Sequence, residues 1–357
     1  MKSRKQTFQL RIRLKEAQNN MVLTLAEFWF ILIGVLFVGF IFLEGFDFGV
    51  GMSTQFLAKD EDDRRVLIQT IGPVWDANEV WLITAAGAMF AAFPHWYASI
   101  FSGYYLVFVL LLLALILRGV SFEFREKGDT KRWRYNWDWA LFTGSIVPPF
   151  IFGVLFTSLI QGMPIDAEMN VFAGFTDYFN IFTILGGLAF VLLSYLHGLY
   201  YIGLKTVGDL RQRAFKQAKV VYMITGLVLV GFIVMMKLDS TAFDVHGGLL
   251  IWLYVAVVAI YGVLFFFMNK QREGWSFIMT GLVLILVMTS FFVALFPNVM
   301  ISSIDPAFNL SIAEAASGDY SLKVMTYVAL TLVPVVLAYT IWSYYVFRKR
   351  VTGERQA

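Results

Sequence analysis

Four acidic side chains stand inside apolar sequence: Glu44 and Asp47, then Asp76 and Glu79. Each pair is spaced i, i+3, which on a helix sets both members on one side. A carboxylate within a membrane span costs about 2.5–3.5 kcal/mol on insertion scales and is held there by a partner or a wet cavity. Neighbouring carboxylates resist being ionised together, so they share protons. Such a group offers a route for protons or cations. The plainer reading is that these acids cap helix ends near the interface or bond a partner chain. Asp76 and Asp47 carry the proton-route expectation first, and Glu44 and Glu79 stand as further members. Arg118 closes an apolar window and reads as an interfacial anchor whose charge snorkels to water. No Lys or Arg is therefore expected beside the acids at membrane depth.

Other chemistry has less to build on. The chain has no Cys, which removes disulfides, iron–sulfur ligation and thiolate ligation of haem. Its three histidines are scattered: His95 and His246 fall near a membrane surface, and His197 falls within a span. With no second His or Met arranged beside it, His197 reads as a hydrogen-bonding group inside the bundle and not as a haem ligand. Neither a phosphate-binding loop nor a metal-ligand spacing is present, and no nucleic-acid partner is indicated.

The elements that must position the acids follow from composition. The chain is 59% hydrophobic and 15% charged over 357 residues, with a mean hydropathy of +0.70. Soluble domains carry about 25% charged residues, so this chain belongs in lipid. Nine apolar windows lie near 28–51, 74–93, 97–117, 139–160, 181–203, 220–236, 248–268, 275–296 and 324–347. Continuous apolar runs such as Leu106 to Leu117 rule out the alternation of a membrane barrel. The expected fold is all-α, a polytopic bundle of about nine transmembrane helices. Pro148 and Pro149 should bend the fourth span. Gly45, Gly49 and Gly51 should let another helix approach the first.

Twenty of the 28 Lys and Arg residues lie in the C-terminal tail or in the loops after the first, third, fifth and seventh windows, and two lie in the alternate loops. By the positive-inside rule the C-terminus is cytoplasmic and the N-terminus outside. All four acids then fall in the cytoplasmic half. The other six basic residues lie within residues 1–20, on the side the rule disfavours. Residues 1–20 read either as a basic N-terminal extension or as sequence upstream of a true start at Met21. Residues 21–357 form a single transmembrane domain on this reading.

Three segments carry a family resemblance: Glu44-Gly45-Phe46-Asp47-Phe48-Gly49-Val50-Gly51-Met52, Gly72-Pro73-Val74-Trp75-Asp76-Ala77-Asn78-Glu79-Val80-Trp81-Leu82-Ile83-Thr84, and Phe90-Ala91-Ala92-Phe93-Pro94. Phe101 to Arg125 and Lys205-Thr206-Val207-Gly208-Asp209-Leu210 also fit. They resemble subunit II, the smaller core subunit, of cytochrome bd-type quinol oxidases. The likeness is most specific over 28–125, and beyond about 210 it rests on span count and length. Glu79 departs from the pattern, since relatives often carry an uncharged amide there.

The resemblance implies a non-haem subunit of a quinol:dioxygen oxidoreductase, inactive alone, in a bacterial or archaeal cytoplasmic membrane. The haem b and haem d-type groups and the quinol site would belong to the larger subunit I. A small single-helix accessory subunit and membrane lipid complete the implied partners. Quinol would release protons outside, and protons for water would come from the cytoplasm, which builds a proton-motive force. The Trp-Asp motif would face the partner. Among rival readings, a proton-coupled secondary transporter would suit nine spans with intramembrane acids, but no inverted repeat is evident. A purely stabilising subunit is the other.

Overall fold

The structure, a computed structural model, describes residues 23–351. The basic segment 1–20 and the start at Met21 lie outside the described residues. The main helices in chain order are α1 (Leu25–Phe56), α2 (Glu61–Ile71), α3 (Trp75–Ala92), α4 (Pro94–Gly103), α5 (Tyr105–Phe124) and α6 (Lys131–Gln161). They continue with α7 (Ile181–Lys205), α8 (Gly208–Leu238), α9 (Ala242–Asn269), α10 (Glu273–Leu295) and α11 (Asp319–Val346). A two-stranded hairpin, β1 (Asn298–Met300) with β2 (Leu310–Ser311), joins α10 to α11. The protein is an all-α polytopic membrane protein. Among the described residues, 8 helices are long and apolar enough to cross a membrane. These match eight of the nine expected windows. The remaining window is α3, an 18-residue helix whose first turns hold Asp76, Asn78 and Glu79 and so lower its hydropathy.

The third window is corrected in register. Its apolar run continues unbroken from 97 to 117, but the backbone turns at Tyr104 (φ −102°, ψ 24°), which separates α4 from α5. A side chain at Gly103 would lie 2.6 Å from Val171 Cβ, so the turn fits under the connecting loop only as glycine. The spanning helix therefore starts at Tyr105 and runs to Phe124. That shift draws Arg118 inside the helix, fully buried, so it is not the interfacial anchor expected of it. The fourth helix likewise starts at Lys131, earlier than its window, and takes Asp138 into the bundle. It runs on through Pro148 and Pro149 without a break.

α1 is the central helix and packs against α3, α6, α7 and α10. Glycine makes this approach close. A Cβ on Gly49 would sit 2.2 Å from the Ser194 carbonyl oxygen and 2.7 Å from Gly198 Cα, and one on Gly51 would meet Ser145. Both behave as the small-residue expectation holds. Gly45 does not, because its nearest neighbour would be Leu284 at an ordinary 3.5 Å. Among the described residues α11 packs mainly along α1 and α3, and none of its span window is buried.

Candidate functional site

Glu44 and Asp47 lie on the lower half of α1, both with no exposed surface. α3 is set beside them by its two tryptophans. Trp81 fills the notch left by Gly39 of α1, where a Cβ would lie 2.4 Å from the indole ring. Trp75 stacks on Phe122 of α5 with centroids 4.6 Å apart. So held, α3 turns Asn78 and Glu79 toward α1. Asn78 Nδ2 donates to Asp47 Oδ2 at 2.6 Å, and the Tyr344 hydroxyl of α11 donates to Asn78 Oδ1 at 2.6 Å.

Arg118 reaches the same place from α5. Its Nη1 donates to Glu44 Oε1 and lies 3.6 Å from Glu79 Oε2. Its guanidinium also sits over the Phe48 ring, 4.9 Å from the centroid. The expectation that no cation lies near the acids is thus corrected. One arginine stands beside buried Glu44 and partly buried Glu79, with buried Asp47 one turn from Glu44, a charge count with room for protons. Glu44 Oε2 and Asp47 Oδ1 have no hydrogen-bond partner.

Asp76 stands apart. It is exposed, because at 100° per residue it lies about 160° round the helix from buried Asn78. Val80, Ile83 and Phe90 continue its exposed stripe. The expectation that Asp76 and Glu79 lie on one side of their helix is corrected: Glu44, Asp47 and Glu79 are gathered, and Asp76 looks outward one turn away.

A second charged knot lies two turns along α5. Arg125 Nε donates to Asp138 Oδ1 at 2.6 Å, Nη2 to Glu61 Oε1 at 2.7 Å and Nη1 to Glu126 Oε1 at 2.7 Å. Arg118, Ser121 and Arg125 are spaced i, i+3, i+7, so one buried polar stripe joins the loops to the carboxylates. Sequence reasoning missed Arg118, Asn78, Tyr344, Arg125 and Asp138. The signal for Arg118 was length. Tyr105 to Leu117 rises only about 20 Å, short of the roughly 30 Å hydrocarbon core, so the span must continue past the arginine.

His197 is fully buried between α1, α7 and α10. Its ring stacks on Phe277 at 4.2 Å, with Phe42 and Phe46 at 5.4 and 6.0 Å. Neither ring nitrogen has a partner of full hydrogen-bond geometry, and the Phe42 backbone of α1 is the group nearest to supplying the expected bond. With aromatic rings on its faces, His197 does not fit a porphyrin. His95 is exposed, and His246 bonds the Phe296 carbonyl.

Fold and site define a multi-pass helical membrane protein that buries an arginine-held carboxylate cluster among its first three spans. The family model for cytochrome bd terminal oxidase subunit II matches residues 25–347. The chain is 54% identical over 329 residues to cytochrome bd ubiquinol oxidase subunit 2 of Bacillus subtilis, covering 92% of this chain and 97% of that one. It is 35% identical over 359 residues to cytochrome bd-I ubiquinol oxidase subunit 2 of Escherichia coli K12, with 91% and 95% covered. Its fold is similar to a chain in the structure of bd oxidase from Geobacillus thermodenitrificans, with a TM-score of 0.67, 17% identity, and 90% and 97% covered. The chain belongs to the cytochrome bd terminal oxidase subunit II family. It is a subunit of a quinol oxidase complex, alongside a subunit I and haem within that complex.

Proposed function

We propose that this chain delivers cytoplasmic protons to a haem-bearing subunit I, which oxidises quinol and reduces dioxygen to water. Asp47, Glu44 and Glu79 hold the protons, and Asp76 passes them to the partner. One observation carries the reading. Glu44 and Glu79 converge on Arg118, Asp47 lies buried one turn from Glu44 and bonds Asn78, and a fourth carboxylate lies one turn from Glu79 on the exposed face. A fixed guanidinium keeps such a cluster from repelling itself apart, while the surplus of carboxylates leaves sites for protons. The stripe from Arg125 to Arg118 supports uptake from the loop side. The haem b and haem d-type groups belong to the partner on this reading, and the complex sits in a bacterial or archaeal cytoplasmic membrane. Protons drawn from inside, with quinol protons released outside, build a proton-motive force. A proton-coupled transporter has less support, because the acids form one cluster on adjacent helices.

Asp47→Asn and Asp76→Asn keep side-chain size but cannot carry a proton. Each should leave the complex assembled with full haem content while quinol-driven oxygen consumption falls about tenfold or more. Haem loss in step with activity would assign these residues a structural role. Wild-type turnover in both assembled variants would end the relay proposal.

A further inference from the structure

We propose that the groove bounded by α1, α7, α10 and α11 is a site for one anionic phospholipid of the cytoplasmic leaflet, with its phosphate on Lys205 and Arg348 and an acyl chain along α1. The site depends on the membrane orientation read from the basic loops and not on the proton route.

The groove encloses about 680 Å³, within the range of small-ligand sites. It is one leaflet deep. Its wall on α1, from Val35 to Phe46, rises about 16 Å, and its wall on α11, from Leu337 to Phe347, about 15 Å. Each is half the roughly 30 Å hydrocarbon core. Four side-chain hydroxyls line this stretch, and each is already committed. Thr70 donates to the Leu67 carbonyl, Tyr201 to the Thr70 carbonyl, Thr340 to the Val336 carbonyl and Tyr344 to Asn78. An occupant therefore finds no free hydroxyl along the wall, which suits a hydrocarbon chain and not a polar head.

Charge enters at the loop end alone. Lys205 and Arg348 are the charged lining residues, both cations, and no Asp or Glu joins them among the described residues. Lys205 ends α7, and Arg348 lies two residues past the end of α11. Both keep donors in reserve. The ammonium has three N–H bonds and gives two, to the carbonyls of Phe347 and Lys349. The guanidinium has five and gives one, to the Tyr345 carbonyl at 2.6 Å. Glu273, at the start of α10, is taken by Arg211 and Arg350. Two cations without a carboxylate, at the mouth of an apolar slot, match a phosphodiester that carries acyl chains. Basic pockets between spans on the cytoplasmic side bind such head groups.

The test uses the purified complex in nanodiscs holding equal amounts of phosphatidylglycerol and phosphatidylcholine, with a photoreactive diazirine in the acyl chain of one or the other. Labelled peptides are counted by mass spectrometry. In the wild type, phosphatidylglycerol should label the groove residues of α1 and α11 several-fold more than phosphatidylcholine does, while the outward face of α9 takes up both alike. Arg348→Gln should cut that preference about fivefold, the worth of one basic residue at a membrane surface, and Arg348→Lys should keep it, both at full haem content. Leu337→Trp fills the apolar wall and leaves both cations, so groove labelling by either lipid should fall. Equal labelling by the two lipids in the wild type overturns the proposal without need of a variant, and so does a preference that survives Arg348→Gln. A benzophenone side chain placed at Ile341 that couples to subunit I and to no lipid means that the partner covers the groove, and overturns the lipid site as well.

Discussion

Around α1, α3 and α5 the bundle buries Glu44, Asp47 and Arg118, whereas the described residues of α8, α9 and α10 bury no Asp, Glu, Lys or Arg. The second region handles polarity with neutral groups that satisfy one another. Tyr222 of α8 and Tyr261 of α9 stack at 4.3 Å, and each hydroxyl donates to the other's carbonyl, at 2.9 and 2.5 Å. Tyr254 and Ser290 bond at 2.9 Å between α9 and α10. Among its described residues, Ser276 Oγ and Arg211 Nε are left without partners. The charged region leaves Glu44 Oε2, Asp47 Oδ1 and two Arg118 nitrogens without partners. Buried charge left partly unmet is costly and is retained where protons or ions move, so the contrast sets the region of the proposed proton route apart from one that holds the bundle together.

The largest test of this contrast is Arg118→Met. Removing the only cation beside Glu44 leaves a buried charge uncompensated, at about 3–5 kcal/mol. The complex should be recovered in much lower yield with reduced haem content, and adding Glu44→Gln should restore part of it. A single variant that melts at the wild-type temperature would contradict the charge assignment.

Next is Gly49→Ala, whose Cβ meets backbone on both sides. Forcing α1 from α7 should cost about 1–3 kcal/mol and lower the melting temperature, while Gly45→Ala, with only ordinary contacts, should leave it unchanged. Equal effects at the two positions would mean the helices separate freely. In the neutral region, Tyr261→Phe should cost about 1 kcal/mol and leave oxygen consumption at the wild-type rate. A turnover defect there would blur the line between the two regions.

The smallest effect lies outside the membrane. Glu314 accepts from the Ser311 hydroxyl and backbone N–H, and these bonds hold its carboxyl below the usual range. A lowered folded value stabilises the folded state above the unfolded value of about 4.5 and loses that stabilisation as pH falls. Glu314→Gln should therefore flatten the acid limb of a melting-temperature profile slightly and leave neutral-pH turnover alone.

Helix existence was legible in the sequence because apolar runs must be helical in lipid. So were Gly49 and Gly51 as contact points and Glu44 and Asp47 as buried acids. The site's wiring was not. Hydropathy sees no break at Tyr104, because no charged residue interrupts the sequence from Tyr97 to Leu117, and the lost register hid Arg118. Spacing alone paired Asp76 with Glu79, but i, i+3 residues differ by about 60° round a helix. On α3 that angle separates an inward side chain from an outward one. Asn78 and Tyr344 lie 266 positions apart, beyond any local pattern.

The final helix has a consequence for how the protein is made. α11 leaves the ribosome after the ten helices before it and offers them almost no buried face. It is fastened near its two ends. Trp29 Nε1 donates to the Leu322 carbonyl and the Thr326 hydroxyl at 3.2 and 3.0 Å. At the other end Lys205 Nζ bonds the carbonyls of Phe347 and Lys349. Helices insert independently before they associate, so a nascent chain can assemble the ten preceding helices and hold α11 by these ties and the Tyr344–Asn78 bond. The long bare flank between them is left by this chain's own folding without packing partners, so the order in which α11 gains its neighbours is set by the membrane and not by the bundle.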